Sequence, residues 1–144
     1  MSVEHSITNK LADLHSKLKL NYGNFSEEYP EQEMAAMYIK PDDIVLELGG
    51  NIGRNSCIIA SLLNDSKNLV VFESFNNIAQ QLKENRDLNN LNFHIEDCAI
   101  SKCDLYQKGW ISKHKQFVDN EFKKYNLERI YFGGGSRVHV LIFL

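Results

Sequence analysis

A chain of 144 residues, 43% of them hydrophobic, is long enough for one domain with a real core and is not the composition of a disordered chain. Its net charge of −3 argues against an electrostatic nucleic-acid binder. No apolar run reaches the length of a membrane span and the N-terminus lacks the basic-then-apolar order of a signal peptide, so the expectation is a cytoplasmic protein with no membrane partner.

In chain order, Ile7, Leu11, Leu14 and Leu18 recur at helical spacing, and Tyr22-Gly23-Asn24 ends that helix. Pro30 opens a second helix at a first-turn position, with Glu31 and Glu33 near its positive end. Met34, Met37 and Tyr38 form an apolar side expected to face the core. These elements make an N-terminal helical segment over residues 1–40, and a second region spans 41–144. Lys40-Pro41-Asp42-Asp43 turns the chain into a strand at 44–48, followed by a helix at 55–63, a strand at 69–72, a helix at 76–89 and a strand at 92–96. Asn64-Asp65-Ser66 and Asn89-Asn90 supply breaks. Such alternation predicts an α/β fold with parallel strands joined by right-handed crossovers and ligands at their carboxyl ends.

The last third is less periodic. The stretch 110–125 is polar with scattered aromatics, and its end reads as helix. Lysines are dense from Lys102 to Lys124, but Asp104, Asp119 and Glu121 dilute them into a solvated face. Ile130-Tyr131-Phe132 and Val138 to Leu144 flank Gly133-Gly134-Gly135-Ser136; they form either a hairpin, which the glycines slightly favour, or the last run alone is a fourth parallel strand. Cys57, Cys98 and Cys103 are odd in number and contain no Cys-x-x-Cys pair, and His94 and His114 lack zinc-ligand periodicity with them, so no metal site is expected. Cys57 falls on a buried helix face. Asn24-Phe25-Ser26 and Asn64-Asp65-Ser66 match the glycosylation pattern, which means nothing without a secretory signal.

Chemistry concentrates in Ile44-Val45-Leu46-Glu47-Leu48-Gly49-Gly50-Asn51-Ile52-Gly53-Arg54-Asn55-Ser56. A strand ends beside an acid and runs into a glycine-rich turn, where the backbone can approach a nucleotide-like ligand. The dinucleotide fingerprint fails, because its second and third glycines fall on Asn51 and Arg54 counted from Gly49, or on Ile52 and Asn55 counted from Gly50. The P-loop fails too, with Arg54 or Asn55 where its second glycine belongs. What remains is acid-x-Gly-x-x-x-Gly, carried by Glu47, Gly49 and Gly53. A second strand, Leu69-Val70-Val71-Phe72, ends in a second acid, Glu73. Two strand-terminal carboxylates suit a ligand with a ribose and a cationic group.

This pattern resembles motif I of the class I S-adenosylmethionine-dependent methyltransferases, and Gly-Gly-Asn-Ile-Gly-Arg-Asn-Ser is similar to the Gly-Ala-Asn-Ile-Gly turn of their FkbM-like branch. Leu82-Lys83-Glu84-Asn85-Arg86-Asp87-Leu88-Asn89-Asn90-Leu91 and Asp97-Cys98-Ala99-Ile100-Ser101 extend the resemblance over residues 30–102. It implies a Rossmann-like, mostly parallel sheet, and S-adenosylmethionine as cofactor. Glu47 would accept from the ligand's ammonium while Gly49, Gly50 and Gly53 make room, with Asn51 and Asn55 lining the turn. Glu73 would accept the ribose hydroxyls, Asp97 would sit by the adenine amino group, and the Cys98 amide near a ring nitrogen.

The implied activity is O-methyl transfer to a small-molecule or sugar-like acceptor. The family's fourth strand ends in an Asp-x-Glu-Gly type of motif that has no match here, so the sheet is expected to be incomplete, in a truncated or diverged member. The alternative is a non-catalytic cofactor-binding or scaffold remnant; a nucleotide oxidoreductase is disfavoured by the glycine spacing. Acceptor-holding candidates reduce to Trp110, His114, Tyr131 and His139, none of them singled out as a base. An oligomer or partner chain is expected to cover the apolar last strand, which bare would be an aggregation hazard.

Overall fold

The computed structural model describes residues 3–99, 105–108, 111–114, 128–130 and 139–142. They fall in two compact units, Met1–Asp97 with Arg137–Leu144, and Cys98–Ser136.

The first unit is mixed α/β and is built on a small, open parallel sheet. Strands β1 (Val45–Leu48), β2 (Leu69–Phe72) and β3 (His94–Glu96) follow one another across it, joined by helices α3 (Arg54–Leu62) and α4 (Asn76–Leu88). The parallel alternation read from the sequence is therefore present. β1 and β2 pair from Val45 with Leu69 to Leu48 with Phe72, which sets Glu47 opposite Val71. α3 is buried almost all round, with Cys57, Ile58, Ile59 and Ala60 among its interior residues. α4 turns Ala79, Leu82 and Asn85 inward.

Helices α1 (Val3–Lys17) and α2 (Tyr29–Tyr38) share this core, in which Ile7, Leu11 and Ala35 cluster with Val45, Ile58, Leu69 and Phe93. Each fully buried aliphatic side chain here contributes about 1.5–3 kcal/mol.

Three expectations are corrected. Met34, Met37 and Tyr38 are not core: they are 47%, 48% and 64% exposed, and α2 buries Gln32, Ala35 and Ala36 instead. Both sets share a helical spacing, and the interior chooses Gln32 because its amide is fully used. Its Nε2 donates to the carbonyls of Phe25 (3.1 Å) and Glu27 (2.9 Å), and its Oε1 meets His15 Nε2 at 2.7 Å. A buried polar side chain so satisfied costs little.

Secondly, α1 stops at Lys17, short of Tyr22. The amides beyond it find tertiary acceptors: Lys19 donates to Asn89 Oδ1 (2.8 Å), and Asn21 (2.7 Å) and Tyr22 (3.3 Å) to Asn85 Oδ1. Asn85 of α4 and Asn89 at its C-terminal cap thus replace the helical ladder.

Thirdly, of the two arrangements open to the β-rich runs around Gly133–Gly135, the slightly favoured hairpin is not the one found among the described residues, and the alternative of a fourth parallel strand is. The last one, β7 (His139–Ile142), pairs parallel with β1, from Val45 with His139 to Leu48 with Ile142, giving the sheet order β3-β2-β1-β7. Its unbroken Val-Leu-Ile run suits a parallel sheet rather than a half-wet hairpin. The direction of strand succession reverses at β1, and the carboxyl ends on either side of such a switch point are where open α/β sheets bind ligands.

The second unit holds an antiparallel sheet, order β5-β4-β6, of β4 (Leu105–Lys108), β5 (Ile111–His114) and β6 (Glu128–Ile130). Leu105 pairs with both His114 and Ile130. The sequence reading did not anticipate the β4–β5 pair. The helix expected at the end of 110–125 lies outside the described residues.

Candidate functional site

The glycine-rich turn leaves β1 at Gly49. The amides of Gly49 and Gly50 both donate to the Phe72 carbonyl (2.8 and 3.0 Å), tying the turn to the end of β2, and Gly53 N–H returns to Gly50 O at 2.9 Å. Gly49, Asn51 and Gly53 have φ of 81°, 49° and 91°, a left-handed geometry that glycine and asparagine tolerate best.

The three glycines do different work. A Cβ on Gly50 would run into Val71 Cγ1, and one on Gly53 into Leu82 Cδ1, so both let other side chains pack. The resembling turn carries alanine at the position of Gly50; here Val71 fills that space. A Cβ on Gly49 would meet no described residue within 4 Å. Among the three glycines of the turn, Gly49 is the one with open space beside it among the described residues.

Glu47 is 2% exposed. Its Oε1 accepts from Asn55 Nδ2 at 2.9 Å; Glu47 Oε2, Asn55 Oδ1 and Ser56 Oγ are buried with no well-aligned partner among the described residues, although the Ser56 hydroxyl faces the Glu47 carboxyl closely enough to favour its anion. A buried polar atom left without a partner costs about 1–3 kcal/mol, so this cluster favours the arrival of a further polar or cationic group. Burial pushes the Glu47 carboxyl up to about 7; the facing Ser56 hydroxyl and Asn55 amide pull it down, and the Glu28 carboxylate adds repulsion. Burial, with help from Glu47, pushes the Cys57 thiol up to about 12, which makes it an inert core group.

Glu73 is also buried, at the end of β2. Its Oε1 accepts from the Phe75 amide at the start of α4 and its Oε2 from the Asn51 amide, both at 2.9 Å. One carboxylate therefore braces the helix start and the glycine-rich turn together. Each oxygen keeps a lone pair for a further donor.

The connector between α1 and α2 reaches the same turn. Glu28 Oε1 accepts from Asn51 Nδ2 (2.8 Å) and Arg54 Nη1 (3.1 Å), and Arg54 Nη2 pairs with Glu27. Gly23, at φ 71°, lies where a Cβ would press on Ile52 and Arg54. Asn85, fully buried on α4, fixes both segments: its Nδ2 donates to the carbonyls of Ile52 (2.8 Å) and Tyr22 (3.3 Å).

The structure thus brings together Glu47, Gly49, Asn51, Asn55 and Glu73, with Gly50 and Gly53 as packing positions. Asp97 follows β3, and its exposed carboxylate takes Lys83 Nζ at 3.1 Å. Cys98, half-buried, opens the second unit, so the site described here is built from the first unit alone. His139 pairs with Val45, at the amino end of the sheet and away from the turn. Trp110 and Tyr131 lie outside the described residues. Sequence reasoning missed Ser56, Glu28 and Arg54. Ser56 adjoins the motif and could have been found; Glu28 is remote in sequence and carries no signal.

Among the described residues no group of three or more His, Cys, Asp or Glu could hold a metal ion, and no helix is long and apolar enough to cross a membrane. No protein-family model matches the chain, and neither does any curated protein or solved structure.

Proposed function

We propose that this chain is a class I, FkbM-like S-adenosylmethionine-dependent methyltransferase acting on an oxygen of a small-molecule or sugar-like acceptor. One observation carries the reading: at the carboxyl ends of adjacent parallel strands, two buried carboxylates flank a turn whose Gly49 has open space beside it among the described residues.

The residues fit the group. Glu47, with Asn55 and Ser56 beside it, would receive an ammonium, and Gly49 would let the ligand lie against the backbone. Glu73, already fixed by two amides, would accept from a ribose diol with bonds of about 1.5–3 kcal/mol each. Asp97 would reach an adenine amino group at the cost of its exposed pair with Lys83, a contact worth about 0–1 kcal/mol. When bound, the cofactor supplies an electrophilic methyl group on a sulfonium. The protein's part is to orient donor and acceptor, which can supply about 7–11 kcal/mol of barrier reduction in favourable cases.

A second reading, a cofactor-binding protein without catalysis, draws on the placement of His139, one of the acceptor-holding candidates, at the far end of its strand from the turn. Incubating the protein with S-adenosylmethionine and a set of hydroxyl acceptors, and following S-adenosylhomocysteine, separates the two. Acceptor-dependent turnover supports the enzyme. Tight binding with no turnover for any acceptor supports the second reading.

A further inference from the structure

Two non-glycine residues facing each other across the turn, Glu28 and Asn51, hold left-handed backbone conformations, with φ of 57° and 49°. Such conformations persist only where surroundings over-determine them, and a glutamate has less reason than an asparagine to adopt one. The two are joined directly by the 2.8 Å bond from Asn51 Nδ2 to Glu28 Oε1. Asn51 is in turn the residue whose amide donates to Glu73 Oε2. Its own Oδ1 accepts from the Ile52 amide at 2.9 Å, so its side chain is held from both ends.

We propose that Glu28 is a positioning residue of the ligand site: by holding the Asn51 side chain it aims the Asn51 amide at Glu73 and so fixes the carboxylate that reads a vicinal diol. The proposal rests on the cofactor reading above and adds a residue outside the resemblance's motifs. The connector is well suited to this work because it is anchored independently of Glu28. Tyr22 Oη donates to Glu84 Oε2 (2.7 Å), Asn89 Nδ2 to the Lys19 carbonyl (2.7 Å), and Asn85 takes the amides of Asn21 and Tyr22. Glu28 therefore reaches the turn from a fixed base. Arg54, 12% exposed at the side chain, holds the carboxylate from the other side and shares itself with Glu27. The simpler possibility is that Glu28 only neutralises Arg54, and it predicts something different. Glutamine in place of Glu28 keeps an acceptor for Asn51 but removes the charge that pairs with Arg54.

The test measures S-adenosylhomocysteine affinity by calorimetry for the wild type, E28A, E28Q, E73Q and the E28A/E73Q double variant, with thermal midpoints alongside. The positioning role predicts about tenfold weaker binding for E28A, E28Q within about threefold of the wild type, and a double variant no weaker than E73Q alone. It also predicts that the Asn51 amide exchanges with solvent faster in E28A but not in E28Q. Equal losses for E28A and E28Q, or additive losses in the double variant, would overturn it in favour of mere charge pairing. Wild-type binding with E28A unchanged would overturn this role alone. A wild type that binds neither S-adenosylhomocysteine nor S-adenosylmethionine would overturn the cofactor reading and this role together. Should E28A fail to fold, E28D, which keeps the charge but shortens the reach to Asn51, takes its place: weaker binding and faster Asn51 exchange support the positioning role, and wild-type behaviour overturns it.

Discussion

Replacing Glu47 by glutamine should stabilise the protein at neutral and alkaline pH, and the size of the effect follows from the burial of its carboxyl. In the folded chain the group's pKa is raised from the ordinary 4.5 to about 7, chiefly because burial penalises the anion. The folded state therefore holds a proton through a range in which the unfolded chain has released it. Stability from this group is fully present below pH 4.5 and is lost as pH rises to about 7, where the carboxyl ionises inside the fold. At 1.36 kcal/mol per unit, a rise of some 2.5 units is worth about 3 kcal/mol, an order-of-magnitude figure. Glutamine is close in shape, keeps an acceptor for Asn55 Nδ2 and never pays this cost. Urea unfolding of wild type and E47Q between pH 4 and 9 should show a stability difference that grows in favour of the variant by about 3 kcal/mol across pH 4.5–7 and then levels off. A difference independent of pH would mean that Glu47 titrates normally, and the buried-receptor account would fail.

Other consequences can be checked separately. Cationic ligand entry at Glu47 should displace its proton, so calorimetry at pH 6.5 in buffers of different ionisation enthalpy should detect release that E47Q abolishes; identical heats in all buffers would contradict it. Gly49→Ala should remove cofactor binding at a stability cost of about 1–3 kcal/mol from its positive φ alone, whereas Gly53→Ala, which meets Leu82, should lose more stability; a G49A protein with wild-type affinity would refute the open-backbone reading. Glu73→Gln should weaken cofactor binding about tenfold, and an unchanged dissociation constant would take Glu73 out of the site. Asn85→Ala strands carbonyls and amides of both the connector and the turn and should cost about 2–4 kcal/mol in denaturant unfolding; a loss below about 1 kcal/mol would show that water replaces it.

The parts of the fold that could be read from the sequence are those whose cause is local. β1, β2, α3 and α4 are each announced by an apolar run of the right period and a break beside it, and their observed bounds depart from expectation by a residue or so. β3 shortens to His94–Glu96. Where the cause is distant, the reading failed. The connector after Lys17 is non-helical because Asn85 and Asn89, which look like solvated positions of α4, take its amides. Met34, Met37 and Tyr38 offered a stripe as regular as the one α2 buries, and only the carbonyls of Phe25 and Glu27 decide for Gln32. The partner of β7 is β1, nearly a hundred residues away, a choice that no turn signal near Gly133 could reveal.

The site divides in the same way. Glu47, Gly49 and Glu73 stand out because a strand-end acid and a glycine at a turn are local signs of a ligand. The distinct duties of the turn's glycines were hidden, since Gly50 and Gly53 serve Val71 and Leu82 while Gly49 has open space beside it among the described residues. Glu28 and Arg54 were invisible as a pair, because their contact depends on how the connector folds back.

The central claim is that the turn at Gly49 and the carboxylates of Glu47 and Glu73 bind S-adenosylmethionine. Calorimetric titration of the purified chain with that cofactor, with NAD as control, tests it most directly. The account predicts saturable binding of S-adenosylmethionine with a dissociation constant in the micromolar range and none of NAD. No binding of S-adenosylmethionine, or binding of NAD in its place, would contradict it.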